Sequence, residues 1–135
     1  MNYWIVKSEP NAFSWEKFVK DQQAVWDGVR NYQARNHLKA MRREDLVLFY
    51  HSNQGQCIVG IAEVTQEFYQ DPTTSDPRWV SVNLKPVQAL QSVITLKQIK
   101  SDPFLAQIAL VRQSRLSVMP LTSKEYHSII KLSRS

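Results

Sequence analysis

The chain has 135 residues, 43 % apolar and 21 % charged, which is ordinary for a single globular domain with a core of its own. No apolar run approaches the roughly 20 residues that a membrane-crossing helix needs. The one cysteine, Cys57, excludes an internal disulfide and makes a reducing, cytoplasmic setting the expectation. A net charge of +5 and a sequence pI near 9.5 favour anionic partners.

Met1 to Lys7 has neither the basic start nor the apolar centre of a signal peptide, and residues 3–7 alternate as a strand does. Pro10 stops that strand, and Ser14 is placed to cap a short helix over 15–20, with Phe18 and Val19 turned inward. A polar segment begins at Trp26, and Asn31 caps a helix over about 32–42 whose Leu38 and Met41 face the core. Residues 45–52 read as a strand buried on both faces, 53–56 as a turn, and 57–68 as its hairpin partner. Within that partner, Gly60 marks a bulge or a close approach. After a polar loop over 69–78 comes a strand over 79–86. Its Val80, Val82 and Leu84 turn inward, and Trp79, Ser81, Asn83 and Lys85 lie on an accessible face. Thr95 caps a helix ending near Lys100, and Asp102-Pro103 starts another turn of helix. Residues 117–121 supply a last strand, and Thr122 with Glu125 forms a capping box for a C-terminal helix. Hairpins with short helices between them make a single α+β domain over 1–135, with a mixed, barrel-like sheet.

Three glycines cannot build a dinucleotide or phosphate loop. His37, His51 and His127 lack metal-ligand spacing, and no cofactor is implied. Four segments could carry chemistry instead. Lys7-Ser8-Glu9-Pro10 ends a strand, and His51-Ser52-Asn53 ends another. Residues 26–36, Trp-Asp-Gly-Val-Arg-Asn-Tyr-Gln-Ala-Arg-Asn, combine two aromatics, a glycine, two guanidiniums and amides. Aromatic faces stack on a planar base, amides read its edge, and guanidiniums neutralise phosphate. The competing reading makes Trp26 a core plug at the start of a loop. Finally, Val111 to Val118 carries Arg112 and Arg115 with no acidic residue among them.

These four segments together, with Tyr3-Trp4-Ile5-Val6 and Leu48-Phe49-Tyr50 leading into two of them, resemble the EVE domain along essentially the whole chain and in family order. That family includes bacterial stand-alone proteins and the eukaryotic thymocyte nuclear protein. It belongs to the PUA-like superfamily and is similar to the YTH readers of methylated adenine. The resemblance implies a PUA-like pseudobarrel of mixed and antiparallel strands with flanking short helices, and a pocket for a modified base. YTH domains cage that base with aromatics, and Trp26 matches one cage tryptophan in position. Trp79, Tyr32 and Phe49 are candidates for the remaining walls.

The expected function is therefore a non-catalytic, monomeric reader of a modified base, either a modified cytosine in DNA or a methylated base in RNA. The candidate base-binding residues are Lys7, Ser8, Trp26, Gly28, Val29, Asn31, Tyr32, His51, Ser52 and Trp79. Arg30, Arg35, Arg112 and Arg115 are the candidates for phosphate. The alternative is a small amidohydrolase like the ASCH domains of the same superfamily, acting on acylated nucleosides. Lys7 and Glu9 would then work from one side of a strand end, although a Lys7–Glu9 pair would keep the lysine charged.

Overall fold

A computed structural model describes residues 1–135. Six strands form one mixed sheet in the order β2-β5-β4-β3-β1-β6. In chain order they are β1 (Tyr3–Ser8), β2 (Ala24–Trp26), β3 (Leu46–His51), β4 (Cys57–Gln70), β5 (Val80–Thr95) and β6 (Val118–Leu121). The helices are α1 (Trp15–Asp21), α2 (Tyr32–Ala40), α3 (Leu96–Ser101), α4 (Ala109–Arg112) and α5 (Ser123–Ser133). β1 runs parallel to β3 and every other pair is antiparallel. This is the α+β, open pseudobarrel architecture expected from the sequence.

The caps are where sequence rules place them. Ser14, Asn31, Thr95 and Thr122 each accept from a backbone N–H in the first turn of their helix, and Thr95 and Thr122 close full capping boxes. Gly60 is both a bulge neighbour and a close approach. Register slips around it, and a Cβ there would fall into the Trp15 ring.

Several expectations need correction. Helix α2 stops at Ala40, where Met41 turns extended, and Glu44 takes a φ of +76° in the turn that follows. The Arg42 N–H then donates to the buried Asp45, which also accepts from the Asn2 N–H and the Trp4 indole. Val19 is 40 % exposed, because only one face of the short α1 meets the core and Phe18 fills it. Trp79 and Ser81 are buried rather than accessible. β5 continues well past Pro86, where a slip in register opposite Ile61 and Ala62 accommodates the proline. β2, with only three residues, was not foreseen. It pairs with Val82, Asn83 and Leu84 at the far edge of the sheet from β6.

Candidate functional site

A cavity of about 750 Å3 draws its walls from both ends of the sheet, which shows how far the sheet curls toward closure. One wall is the end of β1 and the turn after it, with Lys7, Ser8, Glu9 and Phe13. The facing wall is β2 and the segment from Trp26 to Arg30, and Ser117 closes the side beside β6. The volume suits a small planar ligand with some of its attachment outside.

Trp26 answers to both of its readings. It is 9 % exposed and packs edge-on against Phe49 at 5.7 Å and Phe13 at 6.2 Å, yet it also lines the cavity. Phe49 is fully buried between Phe18, Trp15 and Trp26, so it braces the tryptophan and offers no face to a ligand. Phe13, which the sequence reading passed over, is the second aromatic lining the cavity, on the wall that faces Trp26.

Lys7 Nζ donates to the Ser114 carbonyl at 2.8 Å, and half-burial pushes its pKa down. It makes no ion pair with Glu9, contrary to expectation. The strand ends at Ser8, so Glu9 belongs to the turn, where its carbonyl accepts from the Ala12 and Phe13 N–H groups. The Ser8 hydroxyl donates to the Phe13 carbonyl at 2.5 Å and fixes that turn. His51 and Ser52 are not cavity walls. The Trp15 N–H donates to His51 Nε2 at 3.0 Å, so the histidine helps cap α1. Burial lowers its pKa, partly opposed by Glu16. The Ser52 N–H donates to the Ser8 carbonyl at 2.9 Å, holding β1's end from behind.

The facing wall depends on a residue that the sequence did not mark. Asp71, fully buried in the loop between β4 and β5, accepts from the Gly28 N–H at 2.8 Å and from Arg30 at 3.0 Å through Oδ2. Its Oδ1 accepts from the Thr73 N–H and hydroxyl at 2.7 and 2.6 Å. Burial opposes its ionisation, but the hydrogen bonds from Thr73, Gly28 and Arg30 outweigh that and hold the carboxyl at about 2. Gly28 has a φ of +75° with nothing near its would-be Cβ, so backbone conformation, not space, requires glycine. Arg30 lines the cavity, but its guanidinium is committed to Asp71 and Thr73 rather than held free for phosphate. Val29 completes this wall.

The remaining candidates lie outside the cavity. Asn31, Arg112 and Arg115 line a smaller depression of about 360 Å3, and neither arginine makes an ion pair. Tyr32, Trp79 and Arg35 gather on a separate patch with Arg78, which no sequence signal singled out. The hydrogen bond from Lys7 to Ser114 ties the cavity to the loop that carries Arg112 and Arg115. Two cations, Lys7 and Arg30, and three acids, Glu9, Asp21 and Asp27, line the cavity itself. Its interior therefore suits a neutral ring with a hydrogen-bonding edge, and the unpaired arginines outside suit the anionic attachment.

The EVE domain family model matches residues 2–132. The chain belongs to the EVE domain family. Thymocyte nuclear protein 1 of Mus musculus is 38 % identical to this EVE domain over 166 residues, which cover 97 % of this chain and 73 % of that protein. The NMR structure of Rpa0253 from Rhodopseudomonas palustris superposes with a TM-score of 0.95 at 43 % identity, covering 99 % of this chain and 94 % of that one. Human THYN1 protein, solved in complex with DNA containing 5-methylcytosine, superposes with a TM-score of 0.89 at 32 % identity, covering 100 % and 99 % of the two chains. A YTH domain from Zygosaccharomyces rouxii, at 17 % identity and a TM-score of 0.63, shares the fold.

Proposed function

We propose that this EVE domain is a non-catalytic reader that takes a modified nucleobase into the cavity between β1 and β2, with modified cytosine in DNA the first choice and a methylated RNA base the second. The observation that carries the reading is the division of charge: a near-neutral cavity walled by Trp26 and Phe13, with unpaired arginines only outside it. A base removed from its stack presents that pattern, a neutral ring on an anionic backbone. Human THYN1, 32 % identical across the whole chain, was crystallised with DNA containing 5-methylcytosine, which supports the choice of ligand.

In this reading Trp26 stacks on the ring while Lys7, Ser8 and the backbone around Gly28 and Val29 meet its edge. Asn31, Arg112 and Arg115 hold the adjoining backbone. The hydrolase alternative draws on Lys7 and Glu9 sharing one cavity. Against it, Lys7 Nζ is bound to a carbonyl and the proton of the Ser8 hydroxyl is committed to Phe13. Two measurements on the purified protein separate the readings. Modified cytidine should bind and compete with modified DNA, and acylated cytidine should be recovered intact after prolonged incubation. Turnover abolished by Lys7→Met would overturn the reader assignment.

A further inference from the structure

We propose that the patch around Tyr32 is a second nucleotide subsite, outside the cavity, that receives the neighbour of the pocketed base on the same strand. This rests on the cavity being the base pocket.

Tyr32 is the first residue of α2, directly after the Asn31 cap, so its ring stands on a rigid element. It is 51 % exposed, although its ring already has a partner beneath it. That partner is Trp79, with ring centroids 5.2 Å apart and planes 33° off parallel. Three guanidiniums surround the two rings. Arg35 lies over Tyr32 at 5.0 Å, and Arg30 and Arg78 lie over Trp79 at 5.6 and 5.8 Å. Arg78 also donates to the Tyr32 hydroxyl at 3.0 Å.

The three arginines differ in what holds them. Arg30 is paired with Asp71 and Arg78 with Asp76, so both act as fixed supports. Arg35 has no carboxylate partner. It donates only to the Asn36 side chain and the Arg78 carbonyl, which leaves its full positive charge at the surface. An exposed aromatic ring beside one uncompensated guanidinium matches a nucleotide, one group for the base and one for the phosphate.

Arg30 links this patch to the cavity, since it lines one and stacks on the other. Arg30 and Tyr32 are two residues apart, so their Cα atoms lie within about 7 Å. Successive nucleotides advance about 3.4 Å along a stacked strand, so the patch is one or two steps from the cavity rim. Extruding a base bares the face of its neighbour. Tyr32 covers that face once Arg35, which lies over the ring in the free protein and has no carboxylate to hold it there, swings outward to take the intervening phosphate.

The test compares two ligands, 5-methylcytidine as a nucleoside and a short oligonucleotide with 5-methylcytosine at its centre, on wild type, Tyr32→Ala and Tyr32→Phe. Melting curves establish that the variants are folded. The inference expects Tyr32→Ala to weaken the oligonucleotide about ten- to hundredfold, to leave nucleoside affinity within about twofold, and Tyr32→Phe to keep most of the binding. Replacing the flanking nucleotides by abasic ones should reproduce the loss in wild type and add little in Tyr32→Ala. Equal losses for both ligands would place Tyr32 in the cavity and overturn the subsite, as would no loss for either. If the nucleoside does not bind at all, the pocket reading fails. A Tyr32-dependent oligonucleotide affinity indifferent to the modified base would then show a stacking surface without the pocket.

Discussion

Asp71→Asn changes one atom in a loop that does not touch the cavity, yet it should alter both stability and binding. In the wild type the carboxylate accepts four hydrogen bonds, from the Gly28 N–H, from Arg30 and twice from Thr73. An amide of the same shape can accept on only one side. Its NH2 must face donors on the other, leaving at least one pair opposed. Asp71 titrates at about 2 when folded and near 3.9 when unfolded, and a shift of that size corresponds to at most about 2–3 kcal/mol. Because Arg30 is 40 % exposed, screening reduces this to about 1–2 kcal/mol. For a chain of this length that means a melting temperature lower by roughly 4–8 °C at pH 7. A folded pKa below the unfolded one adds stability that is complete above about pH 4 and is lost as the pH falls toward 2. Melting curves of wild type and Asp71→Asn should therefore converge across that window. At neutral pH the variant should also bind modified DNA more weakly, since Gly28 and Arg30 lose their anchor. A difference in melting temperature that stays constant from pH 7 to pH 2.5, or no difference at pH 7, would refute the role assigned to Asp71.

Trp26→Ala should lose the stacking contribution, about 1–3 kcal/mol of binding, but also about 3–5 kcal/mol of stability. Trp26→Phe is thus the more informative variant, expected to stay folded and to lose part of the affinity in a direct titration. Arg112→Gln and Arg115→Gln should each flatten the log–log dependence of DNA affinity on salt by about one unit, with no change in base preference. Gly60→Ala should cost about 1–3 kcal/mol in chemical denaturation, because the new methyl lands on the Trp15 ring. Ligand preference in the fraction that remains folded should be unchanged.

Much of this architecture was legible because it is encoded locally. Ser14, Asn31, Thr95 and Thr122 announce helix starts through side chains that act within one turn. The buried strand Leu46–His51 reads directly from its unbroken apolar run. What escaped was encoded at long range. β2 is too short to show a period and exists because β5 is there to pair with it. The length of β5 was hidden by Pro86, whose cost is absorbed by a slip in register. In the site, the aromatic and glycine content of 26–30 was visible. The anchor was not, since Asp71 sits more than 40 positions away and resembles any loop aspartate. Tyr32 and Trp79 were expected as walls of the base cage and lie outside the cavity, because composition cannot tell a cavity wall from an exterior patch. That depends on which face of α2's first turn meets β5's start, which only the packing decides.

A cavity that reads a modified base distinguishes it from its unmodified parent. The direct measurement is an affinity titration with DNA and RNA oligonucleotides identical except at one position, carrying cytosine, 5-methylcytosine, adenine or N6-methyladenine. One modified strand should bind more tightly than its plain counterpart by about 1–3 kcal/mol, the worth of one methyl in a matched pocket, and Trp26→Phe should narrow the gap. Equal affinities for every modified and plain pair, at a salt concentration where the backbone contribution is weak, would contradict it.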